Sequence, residues 1–259
     1  MLFGKKVFRY EVIDSTNLEA ARLGKEGAPH GSLIVAERQT AGRGRRGRIW
    51  ESDEEGNLYF SILLKPDFPV QKASMLTLVM AQAVLQACEE VSGSRLGIKW
   101  PNDIVAAGRK VVGILTELHL MPEGGYQVVV GVGINVAKQE FASEIAEKAI
   151  SLEAGAGKEI AKNDLLEKVL FRFEELYGQF CAQGNLSGML AEYNDRLVNK
   201  NQIVKVLEPL GEYKGMALGI NEEGELLVAP CKEDGEPDME KVQNIYAGEV
   251  SVRGVYGYV

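Results

Sequence analysis

Residues 36–50, AERQTAGRGRRGRIW, set four arginines (Arg43, Arg45, Arg46, Arg48) among three glycines (Gly42, Gly44, Gly47). Glycine lets backbone N–H groups turn toward a ligand at φ values that other residues avoid. Arginine holds out a planar fork of donors that stays charged at any working pH. The stretch therefore reads as a loop that wraps phosphate or carboxylate. It bridges two strands, because residues 31–38 before it and 58–64 (LYFSILL) after it are apolar strand-like runs, the second ended by Pro66. As letters, Gly42-x-Gly44-x-x-Gly47 also matches a dinucleotide fingerprint. That motif opens an apolar helix and finds a carboxylate about twenty residues on, at a strand end. Here Arg-Ile-Trp-Glu-Ser follows and Asp67 sits in a Lys-Pro-Asp-Phe-Pro turn, so the dinucleotide reading fails. A solvated basic loop or a nucleic-acid patch is the plainer alternative.

The charge balance weighs against that alternative. The chain carries a formal net charge of −8, with a pI near 5.1, and general affinity for nucleic acid or an anionic membrane needs a basic face. A cationic cluster in an acidic chain marks a small anionic ligand instead. With 259 residues and 46% hydrophobic content, the sequence supports one large domain or a main domain with a small appendage. Cys88, Cys181 and Cys231 lie far apart and form no Cys-x-x-Cys, which suits a reducing cytosol and indicates neither a disulfide framework nor a zinc site. The N-terminus lacks a signal-peptide core, and the longest apolar stretch, residues 75–87, is interrupted by Thr77, Gln82 and Gln86. A soluble, cytoplasmic protein is expected. His30 and His119 are too few for a histidine metal site or a Ser-His-Asp triad.

Along the chain, residues 6–13 alternate as a strand and run into Ser15-Thr16-Asn17, where Thr16-x-x-Glu19 has the form of a capping box and starts a helix. Capping alone accounts for that triplet, although a helix start also offers N–H groups and hydroxyls to a polar ligand. Residues 75–91 form an apolar helix taken as core. Residues 97–105 and 110–118 are alternating runs around Ala106-Ala107-Gly108-Arg109, so a hairpin is expected. The first run holds Lys99-Trp100-Pro101-Asn102-Asp103, dense in groups that hold a nucleotide; a simple turn explains Pro-Asn-Asp but not Lys99 or Trp100. Lys110 opens an otherwise apolar strand, where a buried ammonium needs an anionic partner. Residues 126–136 are the clearest strand, and Gly131 and Gly133 within it signal a ligand or another backbone close by, with Asn135 beside that surface. A close-packed sheet crossing explains them equally well. Residues 140–150, 163–181 and 186–197 read as helices, the second capped by Asn163 or Asp164. Gly155-Ala-Gly-Lys158 fails the P-loop pattern because Glu159 stands where Ser or Thr is required. Beyond Asn199 the texture changes to short strands at 203–207, 213–220, 225–229 and 244–252, a module of SH3-like barrel type.

Taken in order, Ser-Thr-Asn at 15–17, Gly-Arg-Gly-Arg-Arg-Gly at 42–47 with Trp50, Lys-Trp-Pro-Asn-Asp at 99–103, Lys110 before Val-Val-Gly113, and Gly-x-Gly-Ile-Asn at 131–135 resemble the biotin protein ligases (biotin–[acetyl-CoA-carboxylase] ligases). The resemblance covers essentially residues 5–255. It implies an α+β fold: a class II synthetase-like mixed or antiparallel sheet with flanking helices over residues 1–199, and a C-terminal SH3-like β-barrel over residues 200–259. Members of the bifunctional kind carry an N-terminal winged helix-turn-helix. Here the first catalytic strand begins almost at Met1, so a monofunctional enzyme is expected.

The resemblance also implies site residues. Ser15, Thr16, Asn17 and Gln39 would meet the ureido ring of biotin, while Lys110, Gly113, Arg43, Gly44 and Arg45 would meet its valeryl carboxylate and the phosphate. Trp50 would pack on adenine. Arg46, Lys99, Asn102, Asp103 and Asn135 would surround the nucleotide, with Arg253 reaching in from the β module. Lys110, Arg45, Lys99 and Asp103 would carry the catalysis. ATP with Mg²⁺ is the implied co-substrate, without a dedicated protein metal site. A biotin carboxyl carrier protein is the implied partner, with no nucleic acid and no membrane, and with a homodimer left open. A lipoate ligase shares this architecture, but the Arg-Arg and Gly-rich segment ending in Tyr-His-Asp that lipoate ligases carry is missing from the sequence.

Overall fold

The computed structural model describes residues 3–52, 56–122, 124–141, 145–208, 211–247 and 251–254. Seven strands form the main sheet: β1 (Val7–Ile13), β2 (Ser32–Gln39), β3 (Leu58–Leu64), β4 (Gly97–Lys99), β5 (Asp103–Ala106), β6 (Arg109–Leu120) and β7 (Tyr126–Ile134). Their spatial order is β1-β2-β3-β7-β6-β5-β4, with β1 and β2 parallel and every other pair antiparallel. The helices are α1 (Thr16–Lys25), α2 (Leu76–Ser92), α3 (Leu152–Ala156), α4 (Lys162–Gln183) and α5 (Leu190–Arg196).

Period-two alternation decides what each face of the sheet does. Leu58, Phe60, Ile62 and Leu64 of β3, and Val128, Val130, Val132 and Ile134 of β7, point to one face and pack under α2 and α4 in the principal core. The opposite face belongs to α1, which buries Ala20 and Ala21 against Ile34, Leu63 and Val129 in a second, smaller cluster. That cluster covers part of the face. Further along β7 the same side carries Gly131 and Gly133, and there the sheet contributes no side chains of its own.

A second sheet is antiparallel throughout, in the order β11 (Gln243–Ile245), β10 (Leu226–Pro230), β9 (Gly211–Ile220), β8 (Ile203–Glu208), β12 (Ser251–Gly254). Its Val204, Val206, Leu226 and Val228 join the principal core, and buried Trp100 ties the sheets together by donating its indole N–H to the Gly224 carbonyl at 3.1 Å.

Several local expectations are corrected. Residues 97–105 are two strands, β4 and β5, folded on each other around Trp100-Pro101, so that Lys99 faces Asp103 in register. The described part of residues 140–150 is a turn, not a helix: Lys110 N–H donates to the Lys148 carbonyl (2.7 Å) and Ile150 N–H to the Lys110 carbonyl (2.9 Å), which commits that backbone to β6. The predicted strand at 244–252 is split between β11 and β12. Helix α4 begins after Ala161 with no side-chain cap, and Asp164 serves in its first turn. At α1 the N-cap is Ser15, without a side-chain cap; Thr16 and Glu19 do not form the capping box, and their side chains bond to Gln39 and to Tyr10.

His30 packs beside Phe3 and Tyr177, with ring centroids 5.8 Å from each, and its Nδ1 accepts the Lys65 N–H at 3.0 Å. Burial pushes its pKa below the ordinary 6.5. The folded chain thus favours the neutral ring, and this contribution is complete above about pH 6.5 and lost as pH falls through the lowered folded value. The melting temperature of the wild type should fall more steeply than that of His30→Phe from about pH 7 to about pH 5; parallel profiles would refute the link.

Candidate active site

On the bare part of the α1 face lies a cavity of about 930 Å³, within the size range of small-ligand sites. Its floor is glycine. Gly113 of β6 and Gly133 of β7 stand directly opposite each other in the ladder, and Gly131 faces Leu115. Side chains arriving from above explain why: a Cβ on Gly131 would sit 1.8 Å from Asn17 Oδ1, and one on Gly133 would sit 2.6 Å from the Trp50 indole. The close neighbours are side chains of α1 and the arginine loop rather than another backbone.

One end of the cavity is neutral and hydrogen-bonded. Ser15, Thr16, Asn17 and Gln39 are all buried there. Gln39 Oε1 accepts the Thr16 N–H (2.8 Å) and hydroxyl (3.2 Å), and Gln39 donates from Nε2 to Ser52 Oγ at 3.1 Å. Ser61, reaching up from β3, lies 2.6 Å from Asn17 Oδ1 and 2.8 Å from Thr16 Oγ1. The side chains missing from the expected capping box are thus in the cavity wall.

The other end is cationic. Lys110 Nζ is 2.6 Å from Asp103 Oδ1, the anionic partner its position required. Arg45 donates to Asn102 Oδ1 at 3.0 Å and, through its other terminal nitrogen, to the Ala247 carbonyl of the C-terminal segment. Asn102 in turn donates to Asp103 (3.1 Å) and to the Ile114 carbonyl (3.1 Å). Burial pushes the Arg45 guanidinium below its ordinary value, and Asp103 opposes that shift. An arginine so displaced remains charged at any working pH. Eight Arg and Lys side chains and two carboxylates, Asp103 and Glu147, line the cavity among the described residues. A chain with a net charge of −8 has therefore concentrated positive charge in one concave place, where it focuses the field on an anion.

The arginine loop closes over this end as a small hairpin, Gly44 N–H donating to the Arg48 carbonyl at 2.8 Å and Trp50 N–H to the Gly42 carbonyl at 3.0 Å. Its apex, Arg46 and Gly47, is left-handed. Trp50 rests on Gly113 and Gly133, with Lys110 Nζ 5.1 Å from its ring, a cation–π distance.

A model of the biotin/lipoate A/B protein ligase family matches residues 10–135, and a model of the biotin protein ligase C terminal domain matches residues 201–253. The bifunctional ligase/repressor BirA of Bacillus subtilis (strain 168) is 36% identical over 254 residues, covering 97% of this chain and 75% of that protein. The chain belongs to the biotin protein ligase family. Within that family, the biotin–[acetyl-CoA-carboxylase] ligase of Paracoccus denitrificans is 30% identical over 220 residues, 83% of this chain and 90% of its own. The solved biotin protein ligase from Aquifex aeolicus in complex with biotin and ATP superposes with a TM-score of 0.80 at 33% identity, covering 96% of this chain and 99% of that one.

Of the residues that the biotin ligase resemblance singled out, Ser15, Thr16, Asn17, Gln39, Arg43, Gly44, Arg45, Arg46, Trp50, Lys99, Asn102, Asp103, Lys110 and Gly113 all line this one cavity. Asn135 is not among the lining residues: it is buried just past the end of β7, with its N–H on the Val111 carbonyl and its carbonyl taking the Leu152 N–H. Arg253 lies on β12, opposite Lys205, and its side chain falls outside the described residues. Sequence reasoning missed Arg109, Glu147 and Lys148 on the wall and Ser61 and Glu117 just behind it. Alternation from Gly113 reaches Glu117 on the same face of β6, and that was the available signal.

Gly133→Ala should displace the Trp50 indole from the floor. The fluorescence component that Trp50→Phe removes should then shift to longer wavelength while the emission of buried Trp100 stays put; an unmoved component would contradict the packing.

Proposed function

We infer that the chain activates biotin with ATP as biotinyl-5′-AMP and then passes the biotinyl group to a lysine of a biotin carrier protein. One observation carries this reading: a single cavity joins a neutral, hydrogen-bonding end to a cationic end across a floor without side chains. A ring that both donates and accepts hydrogen bonds suits the first end, and a carboxylate meeting a polyphosphate suits the second. Residues 1–199 form the catalytic unit in this reading, and residues 200–259 the accessory one.

In the first step a carboxylate oxygen of biotin attacks the α-phosphorus of ATP. The bond from that phosphorus to the bridging oxygen breaks, and pyrophosphate leaves with the electron pair. Two anions repel until cations neutralise them, so positioned charge and orientation supply the acceleration, and no covalent enzyme nucleophile is needed. Lys110 and Arg43, with the Gly44 and Gly113 backbone, hold the carboxylate. Arg45, Arg46, Lys99 and Asn102 hold the phosphates, and Trp50 covers the adenylate. Asp103 keeps Lys110 aimed into the cavity. Mg²⁺ supplies further charge neutralisation when bound. In this reading the ion arrives on the ATP phosphates, with few protein ligands. In the second step the neutral amine of the carrier lysine attacks the acyl carbon, AMP departs, and the amine proton passes to Asp103.

The neutral end favours biotin over lipoate. Thr16, Asn17 and Gln39 answer a ureido group, whereas an apolar dithiolane would leave such buried polar groups poorly matched. The cysteines are free, and we place the reaction in the cytoplasm.

Pyrophosphate exchange in the presence of biotin, lipoate or octanoate tests the substrate, with turnover expected for biotin and refutation if lipoate is preferred. Lys110→Ala should fold normally and lose on the order of 10²- to 10³-fold in adenylate formation; near-normal exchange by this variant would remove Lys110 from the mechanism. Arg45→Ala breaks the tie between loop, Asn102 and Ala247. Release of labelled biotinyl-AMP should rise about tenfold, and unchanged retention through gel filtration would count against that role.

A further inference from the structure

Glu117 is absent from the cavity wall, yet it touches two of its working parts. It sits on β6 opposite Val129, on the face shared with Gly113 and Leu115. Its Oε2 accepts from Asn17 Nδ2 at 2.8 Å, and its Oε1 lies 3.1 Å from Arg43 Nη2. Its side chain is 18% exposed and that of Arg43 43%.

The first contact, together with the Leu115 carbonyl, sets which way round Asn17 stands. Asn17 Nδ2 also donates to the Leu115 carbonyl at 3.2 Å, so both of its N–H groups are committed, while Oδ1 takes the Ser61 hydroxyl at 2.6 Å. Carboxylate and carbonyl oxygens are acceptors, so Glu117 and Leu115 together disfavour the flipped amide. Among the described residues Asn17 Oδ1 accepts one donor, the Ser61 hydroxyl, which leaves a lone pair for a hydrogen-bond donor in the cavity that Asn17 lines. The second contact draws the root of the arginine loop toward the same carboxylate, apart from the Arg45 tie at the loop's other side.

We propose that Glu117 is a positioning residue that orients Asn17 to read a ligand N–H and, through Arg43, couples the occupied ring pocket to the closed arginine loop. This rests on the biotin ligase reading above. Glu117→Gln is nearly isosteric and can still accept from Asn17, but it loses the ion pair. Glu117→Ala loses both contacts.

The test uses the full chain with biotin and MgATP, measuring the KM for biotin and the kcat of pyrophosphate exchange, and the rate of biotinyl-AMP release. For Glu117→Gln, release should quicken roughly threefold, the scale of a partly exposed ion pair, with the KM for biotin little changed. Glu117→Ala should also raise that KM, by about tenfold, because Asn17 keeps only the longer bond to the Leu115 carbonyl on its Nδ2. Arg43→Met should quicken release, and adding Glu117→Gln to it should bring no further change, since both remove one contact. Multiplying effects in the double variant, or release and KM unaltered in Glu117→Ala, would overturn the proposal. A wild-type chain that forms no biotinyl-AMP overturns the ligase reading itself, a different result from an active wild type whose Glu117 variants behave like it.

Discussion

The site depends on a stretch of sheet face that carries no side chains. Strand β7 sends Val128, Val130, Val132 and Ile134 into the principal core, and the opposite face of the same residues' neighbours is Gly131 and Gly133. Because Gly113 of β6 pairs with Gly133, the bare patch spans two strands. A Cβ at any of these three positions would lie closer to Asn17 or Trp50 than van der Waals contact allows. Stability and cavity are therefore supplied by opposite faces of one strand, and neither interferes with the other.

Around this floor the chain resolves an electrostatic conflict. A strongly acidic molecule gathers guanidinium and ammonium groups on one concave surface, held apart by groups that are themselves anchored. Lys110 is aimed by Asp103, Asp103 is held by Asn102, and Asn102 also receives Arg45. Arg45 reaches the Ala247 carbonyl, so the geometry of the cationic end includes the C-terminal sheet. Preorganised donors of this kind need no rearrangement when charge develops on a substrate.

Local signals in the sequence were trustworthy where local physics had no competitor. The arginine loop, the strand with Gly131 and Gly133, and the apolar helix before Ser92 stand where their composition places them. Signals failed where a distant group made a better offer. Thr16 and Glu19 have the letters of a capping box, yet Gln39 and Tyr10 take their side chains. Residues 140–150 have helical composition, yet the β6 edge takes the backbone of Lys148 and Ile150.

By itself the sequence determined which chemistry is available: a glycine-rich arginine loop, a lysine at a strand start, and strands with glycine where bulk is normal. These are properties of residue type and short spacing, and they survive without knowledge of the fold. Only the tertiary structure decided that Ser15, Gln39, Arg45, Lys99 and Lys110 share one cavity, that Arg45 answers to Ala247, and that Glu117 stands between Asn17 and Arg43. Those contacts join positions up to 202 residues apart. They are set by strand order and register, which no spacing along the chain contains.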